Sequence, residues 1–170
     1  MKAIILGNSG SGKSWLGRKL SNIVRCNLIE MDKVFWEPGG FNKKRDSGIL
    51  REEILKSTSS DSWVCEGVFG RIADLATPNA NTIVLLDLSW DDCKKNLINR
   101  GPNYEDCQSE SQAEQAFIEL IDWAKDYSIR ENHTSRKYHH DIYSVFEGEK
   151  ILLKNREEVH DFVKKIENSI

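Results

Sequence analysis

Short apolar runs alternate along this chain with stretches whose apolar positions recur every three or four residues. That alternation of periods predicts strands interleaved with helices. Lys2-Ala3-Ile4-Ile5-Leu6 reads as a buried strand. A helix opens with Ser14-Trp15-Leu16-Gly17-Arg18-Lys19-Leu20 and ends near Arg25. A second strand covers 27–31 and stops at Asp32, and Pro38-Gly39-Gly40 marks a turn. A helix over 46–58 turns Arg51, Glu52, Glu53 and Lys56 to solvent, and a third strand covers 62–66. The run 81–88 is apolar almost without a break, as buried parallel strands are. A helix over 91–100 carries Asp91 and Asp92 in its first turn and Arg100 in its last, where each suits the helix dipole. Residues 101–112 are polar and turn-rich and read as an excursion or lid. Ala113, Ala116, Phe117, Leu120, Ile121, Ala124 and Tyr127 then form a helical stripe. A fifth strand over 150–153 and an amphipathic helix over 156–166 close the chain. Strands and helices in this order predict an α/β architecture: a five-stranded parallel sheet, right-handed crossovers and helices on both faces. The expected organisation is one domain over 1–170, with an insertion at about 32–60 and a lid at about 101–130.

Composition narrows the class. A chain of 170 residues can bury a sizeable core, and 39% hydrophobic with 30% charged residues is ordinary for a soluble protein. The net charge of −3 gives no electrostatic footprint for nucleic acid. No apolar stretch approaches a membrane span, and Met1-Lys2 leads straight into a strand, so the expectation is a cytoplasmic protein. Cys26, Cys65, Cys93 and Cys107 lack metal-ligand spacing and read as reduced packing residues. His133, His139 and His140 lie close in sequence; without a confirming carboxylate motif they read as a solvated helix surface rather than a metal site.

The densest chemical signal is Gly7-Asn8-Ser9-Gly10-Ser11-Gly12-Lys13-Ser14, the G-x-x-x-x-G-K-S phosphate-binding loop, set between a strand and a helix as its chemistry requires. Glycines let the backbone come close to an anion, and successive N–H groups and the helix N-terminus point at it. Lys13 reaches the β- and γ-phosphates, and the Ser14 hydroxyl can ligate Mg²⁺. This makes the fold a P-loop NTPase three-layer sandwich with ATP and Mg²⁺ as cofactors. Trp15, where Thr is common, offers its backbone N–H but no hydroxyl; its bulk reads as core packing against the sheet, with a narrowed nucleotide site as the alternative.

Other candidates sit at strand ends, where open α/β sheets bind ligands. Asp32 could order metal-bound water or take a proton from an attacking hydroxyl. In Glu66-Gly67-Val68-Phe69-Gly70-Arg71, Glu66 could hold Mg²⁺ through water, Gly67 would let a substrate lie against the backbone, and Arg71 could clamp a phosphate or carboxylate. Asp87 competes with Glu66 as the magnesium acid. In the basic cluster 42–45, Arg45 is the best placed to face a substrate phosphate. Trp36 could stack on an acceptor or join the core.

Trp63-Val64-Cys65-Glu66-Gly67-Val68-Phe69-Gly70-Arg71 resembles the Asp-Gly-Phe-Pro-Arg strand end of the adenylate-kinase-like P-loop kinases, with Glu for Asp and Gly70 for Pro. Asp32-Lys33-Val34-Phe35-Trp36-Glu37-Pro38-Gly39, with the pattern Gly148-x-Lys150-x-x-Leu153, is similar to a bacterial subgroup labelled adenylate kinase-like or DNA topology modulation proteins. The likeness implies that Glu66 rather than Asp87 is the magnesium-side acid, that Arg71 binds an acceptor monophosphate, that Arg100 and Arg130 embrace the transferring phosphoryl group, and that the backbone after Leu153 faces adenine. Asn96 stands where that family often has an arginine, and Lys125 is the one basic residue between Arg100 and Arg130. The expectation is an ATP·Mg²⁺-dependent small-molecule kinase, nearest to a nucleoside monophosphate kinase, acting as monomer or homodimer without direct nucleic-acid or membrane contact. The alternative is an ATP-binding regulator of the topology-modulation type with little kinase activity.

Overall fold

Each apolar run feeds side chains to two opposite faces, and this joins the five into one sheet. Along β1 (Lys2–Gly7), Ile4 and Leu6 enter one core cluster and Ala3 and Ile5 the other. Along β4 (Thr82–Leu86), Ile83 and Leu85 part from Val84 and Leu86 in the same way. Neither face is open to water, so period-2 alternation gives way to continuous apolar sequence. The structure is a computed structural model and describes residues 1–38, 43–104 and 109–169. β2 (Asn27–Glu30), β3 (Trp63–Gly67) and β5 (Glu149–Leu153) complete a wholly parallel sheet of order β2-β3-β1-β4-β5.

One face is covered by α1 (Lys13–Val24), α5 (Trp90–Arg100) and α8 (Arg156–Glu167), through Leu16, Leu20, Cys93, Val159, Phe162 and Val163. The other carries α2 (Met31–Phe35), α3 (Ser47–Ser57), α4 (Gly70–Ala76) and α7 (Arg136–Val145), through Met31, Ile54, Ile72 and Ile142. A long α6 (Glu110–Lys125) follows α5 and leads through a 3₁₀ turn at Asp126–Ser128 to α7. This is the expected three-layer α/β sandwich. Among the described residues no helix is long and apolar enough to cross a membrane.

Some local expectations change. The second strand is shorter than read, because Met31 already starts α2 and puts Asp32 in a helical first turn instead of a loop. The third, fourth and fifth strands shift by one or two residues at their ends. Trp15 is neither core nor cleft: it faces outward from α1, 39% exposed, edge-on to the His160 ring of α8 at 5.2 Å. His139 does not lie on a solvated surface; it is fully buried. Cys65 and Cys93 are buried and reduced and Cys26 is partly buried and reduced, while Cys107 lies outside the described residues, as does part of the excursion 101–112.

Candidate active site

The turn from β1 into α1 holds backbone conformations that L side chains resist. Gly10 has φ of 80° and Gly12 of 95°. A Cβ on Gly10 would stand 2.3 Å from the carbonyl oxygen of Cys93, so glycine there is enforced twice, by dihedral and by contact. The Lys13 ammonium donates to the Asn8 carbonyl at 2.8 Å across the loop. Burial lowers the Lys13 pKa, while Glu66 and Asp32 pull it back up. The two acids oppose that fall without cancelling it.

Those acids come from neighbouring strand ends. Glu66 is 2% exposed; burial raises its pKa, against the charge of Lys13 and a hydrogen bond with the Ser14 side chain. The Ser14 side chain is thus near enough to act on the Glu66 carboxyl. Asp32 opens to solvent on one side, yet the protein packed around its carboxyl raises its pKa, with Glu30 adding to the rise and Lys13 and Arg100 opposing it. Asp87 has another occupation. Burial would raise its pKa, but Arg136 grips it with two bonds of 2.7 and 2.6 Å, His140 approaches to 3.1 Å, and the net shift is downward. A carboxylate so neutralised is a poor metal ligand; Glu66, with a buried Oε2 that has no hydrogen-bond partner, suits one better.

The remaining candidates divide. Arg100, at the end of α5, lies near enough for its charge to act on both Lys13 and Asp32. Arg71 opens α4 at the carboxyl edge of the sheet, exposed, with no ion pair to a described acid. Arg45 is spent within its own segment, bound to Glu53 and to the carbonyls of Lys33 and Trp36. Arg130 is turned inward: it donates to the carbonyls of Thr134 and Trp123 at 3.1 and 2.7 Å and lies 3.7 Å over the Trp123 ring, and burial pushes its pKa down to about 10. In this state its guanidinium fastens the end of α6. The face of Gly67 expected to be free for substrate is filled by Met31, whose side chain would be 2.5 Å from a Cβ there. Trp36 packs on the core, edge-on to Phe35 at 4.7 Å.

Glu30 escaped the sequence reading, and the cross-fold partners of Asn8 and Asn96 did too. Glu30 pairs with Arg18 at 3.8 Å and Lys33 at 2.5 Å and raises both Asp32 and Glu66. Asn8 and Asn96 bond across the fold, Asn8 Nδ2 to the Ala124 carbonyl at 2.9 Å and Asn96 Nδ2 to the Gly10 carbonyl at 2.7 Å. The acidic spacing Glu30-Met31-Asp32 was visible in the sequence; the asparagine partners, 116 and 86 residues away, were not. A cavity of about 440 Å³ flanks the loop on the β4/β5 side, lined by Asn8, Trp90, Lys125, Tyr127 and Lys154 among others.

No protein-family model matches the chain. No curated protein matches it either. Solved structures do. An uncharacterised protein from Eubacterium ventriosum ATCC 27560 is 16% identical, with TM-score 0.56 over 99% of this chain and 96% of that one. Shikimate kinase from Bacteroides thetaiotaomicron is 14% identical, with TM-score 0.52 over 98% and 96%. A gluconokinase from Sinorhizobium meliloti 1021 is 15% identical, with TM-score 0.52 over 98% and 89%. The chain shares the α/β fold of these three structures, two of which are named as kinases.

Proposed function

We propose that this protein is an ATP- and Mg²⁺-dependent kinase of a small cytoplasmic molecule. One observation carries the reading: Lys13, Ser14, Glu66 and Asp32 meet at the carboxyl edge of a parallel sheet, around a loop shaped by Gly10 and Gly12. The donor set fits the cofactors. The loop N–H groups and Lys13 would hold the phosphates, and the Ser14 hydroxyl with the unpartnered Glu66 oxygen would hold Mg²⁺ directly and through water. ATP with Mg²⁺ supplies the transferable phosphoryl group and neutralises its charge.

The chain's own part is positioning and proton handling. Lys13 leaves the Asn8 carbonyl to meet the phosphates; Arg100 adds positive charge from α5. Asp32, with its raised pKa and the charges of Lys13 and Arg100 acting on it, would take a proton from an acceptor hydroxyl. A hydroxyl acceptor is therefore preferred, because a carboxylate repels an incoming phosphate. The names of the fold neighbours, shikimate kinase and gluconokinase, point the same way. Arg71, unpaired with any described acid at the sheet edge, favours the second acceptor class, a nucleoside monophosphate.

The test is phosphate transfer from ATP·Mg²⁺ to a panel of small hydroxyl acids, sugars, nucleosides and nucleoside monophosphates, with products read by mass. Wild type should phosphorylate one class and Lys13→Ala none. Asp32→Asn should lower kcat about 100-fold or more on a hydroxyl acceptor. If nucleoside monophosphates are the substrates, Arg71→Ala should instead raise KM. ATP binding with nothing phosphorylated would replace the kinase reading with that of a nucleotide-binding regulator of the topology-modulation type.

A further inference from the structure

We infer that Asn8 and Asn96 are positioning residues that hold the P-loop in one register with the carboxyl-terminal turns of α5 and α6, so that Lys13 and Arg100 meet the same phosphoryl group. The inference rests on the kinase reading for its catalytic consequence, though not for the tether itself.

Asn96 lies one turn before the end of α5, and its Nδ2 donates to the Gly10 carbonyl at the crown of the loop, 2.7 Å away. Its Oδ1 accepts from the Arg156 guanidinium of α8 at 2.5 Å, which fixes the amide's orientation. Arg100 follows one turn later on the same side of α5. A helix held at Asn96 thus presents Arg100 toward Lys13 and Asp32, the two groups that respond to its charge.

Asn8 works from the other end. It is 4% exposed, and its Nδ2 donates to the carbonyl of Ala124, a fully buried residue in the last turn of α6. Its Oδ1 accepts from Ser9 N–H at 2.8 Å, and its own carbonyl receives Lys13 at 2.8 Å. The peptide that holds the lysine at rest is thereby tied to α6. Helix-end carbonyls lack intrahelical partners. Here the Ala124 carbonyl is served by Asn8 and that of Trp123 by Arg130. Losing the Asn96 amide takes the side-chain donor from the Gly10 carbonyl, losing the Asn8 amide leaves the Ala124 carbonyl only the Asp126 N–H of the helix cap, and either loss frees a helix end to move relative to the loop. Displacements of about 1 Å at such distances from the chemistry cost up to about 100-fold in rate.

Asn8→Ala, Asn96→Ala and the double variant test this by three measurements: kcat with the acceptor found above, the Kd of ATP·Mg²⁺, and amide hydrogen exchange in the last two turns of α6. Each single variant should lose about tenfold or more in kcat while Kd moves less than about threefold. The double variant should lose clearly less than the product of the two, because both amides hold one register. Asn96→Asp keeps the Arg156 partner but turns an acceptor on Gly10, and should match Asn96→Ala in kcat. Exchange at the end of α6 should speed up in Asn8→Ala without a matching fall in Tm. Losses of Kd in step with kcat, strictly multiplicative losses, or an unchanged kcat would each overturn the proposal. Exchange needs no turnover: if wild type phosphorylates nothing, unchanged exchange in Asn8→Ala still refutes the tether, and faster exchange leaves it standing while the kinase reading alone falls.

Discussion

A buried acid at residue 66 that stays near a lysine and a serine carries a cost in stability that its chemistry justifies. The raised Glu66 pKa means that the folded chain holds this proton more tightly than the unfolded chain. Folding is therefore favoured by the neutral form: stability falls as pH rises from the ordinary value of 4.5 through the folded pKa, and the loss is complete above it. Glu66→Gln should accordingly raise Tm at neutral pH, with the gain vanishing below pH 4.5, as thermal unfolding at two pH values will show. The same variant should lower turnover about 100-fold, since the carboxylate beside Ser14 is the group that would order metal-bound water. A variant more stable and less active is the signature of a site residue rather than a packing residue. Asp87, the rival acid of the sequence reading, is occupied by Arg136 and His140, whereas Glu66 keeps an oxygen without a hydrogen-bond partner.

Among elements, the one that most changes the picture is the short helix α2. Its five residues, Met31–Phe35, carry Asp32 into the site, and it can sit there because Gly67 has no side chain. Gly67→Ala would push a methyl to 2.5 Å from Met31, a fully buried side chain, and move Asp32 with it. The expected result is a loss of about 1–3 kcal/mol in denaturant unfolding, as overpacked cores show. A fall in kcat with nucleotide affinity kept should accompany it. Period had marked these longer helices, and the structure adds their caps: Asp46, Ser89 and Asn155 accept from first-turn N–H groups. Helix α2 was hidden because five residues are too few for a period to be read, and Asn27-Leu28-Ile29-Glu30-Met31 continues the strand pattern into it. The surface place of Trp15 was hidden for a different reason: an aromatic residue next to a P-loop is compatible with core, cleft or helix exterior, and the position of α8 decides among them.

At the scale of the whole molecule, His139 joins parts that the sequence holds far apart. Its Nε2 lies 2.9 Å from the Val68 carbonyl, which can only accept, so that nitrogen carries the proton and Nδ1 accepts from the Tyr127 hydroxyl at 2.7 Å. Burial pushes the His139 pKa down to about 3, although the bond to Val68 resists. The unfolded chain takes up a proton near 6.5 that the folded chain refuses until about 3, so stability falls as pH drops through this window. The loss from this one group is about 2 kcal/mol between pH 7 and pH 5. Denaturant titrations at those two pH values should show it, and His139→Gln should flatten the dependence by about one proton's worth.

The order of the five strands, most of the longer helices, the phosphate loop and the acids at two strand ends follow from the chain alone, because each rests on neighbours in sequence: periodicity and the glycine spacing of one turn. Which charged groups are free and which are spent follows only from tertiary structure. Arg45 and Arg130 look as available in the sequence as Arg71 and Arg100, yet the first two are bound to carbonyls and a carboxylate while the latter two have no such bond among the described residues. The same holds for Asn8 and Asn96, ordinary polar residues until the sheet brings Ala124 and Gly10 within hydrogen-bond reach. A side chain's partner across the fold is set by the closure of loops of roughly a hundred residues, and no local pattern encodes where such a loop ends.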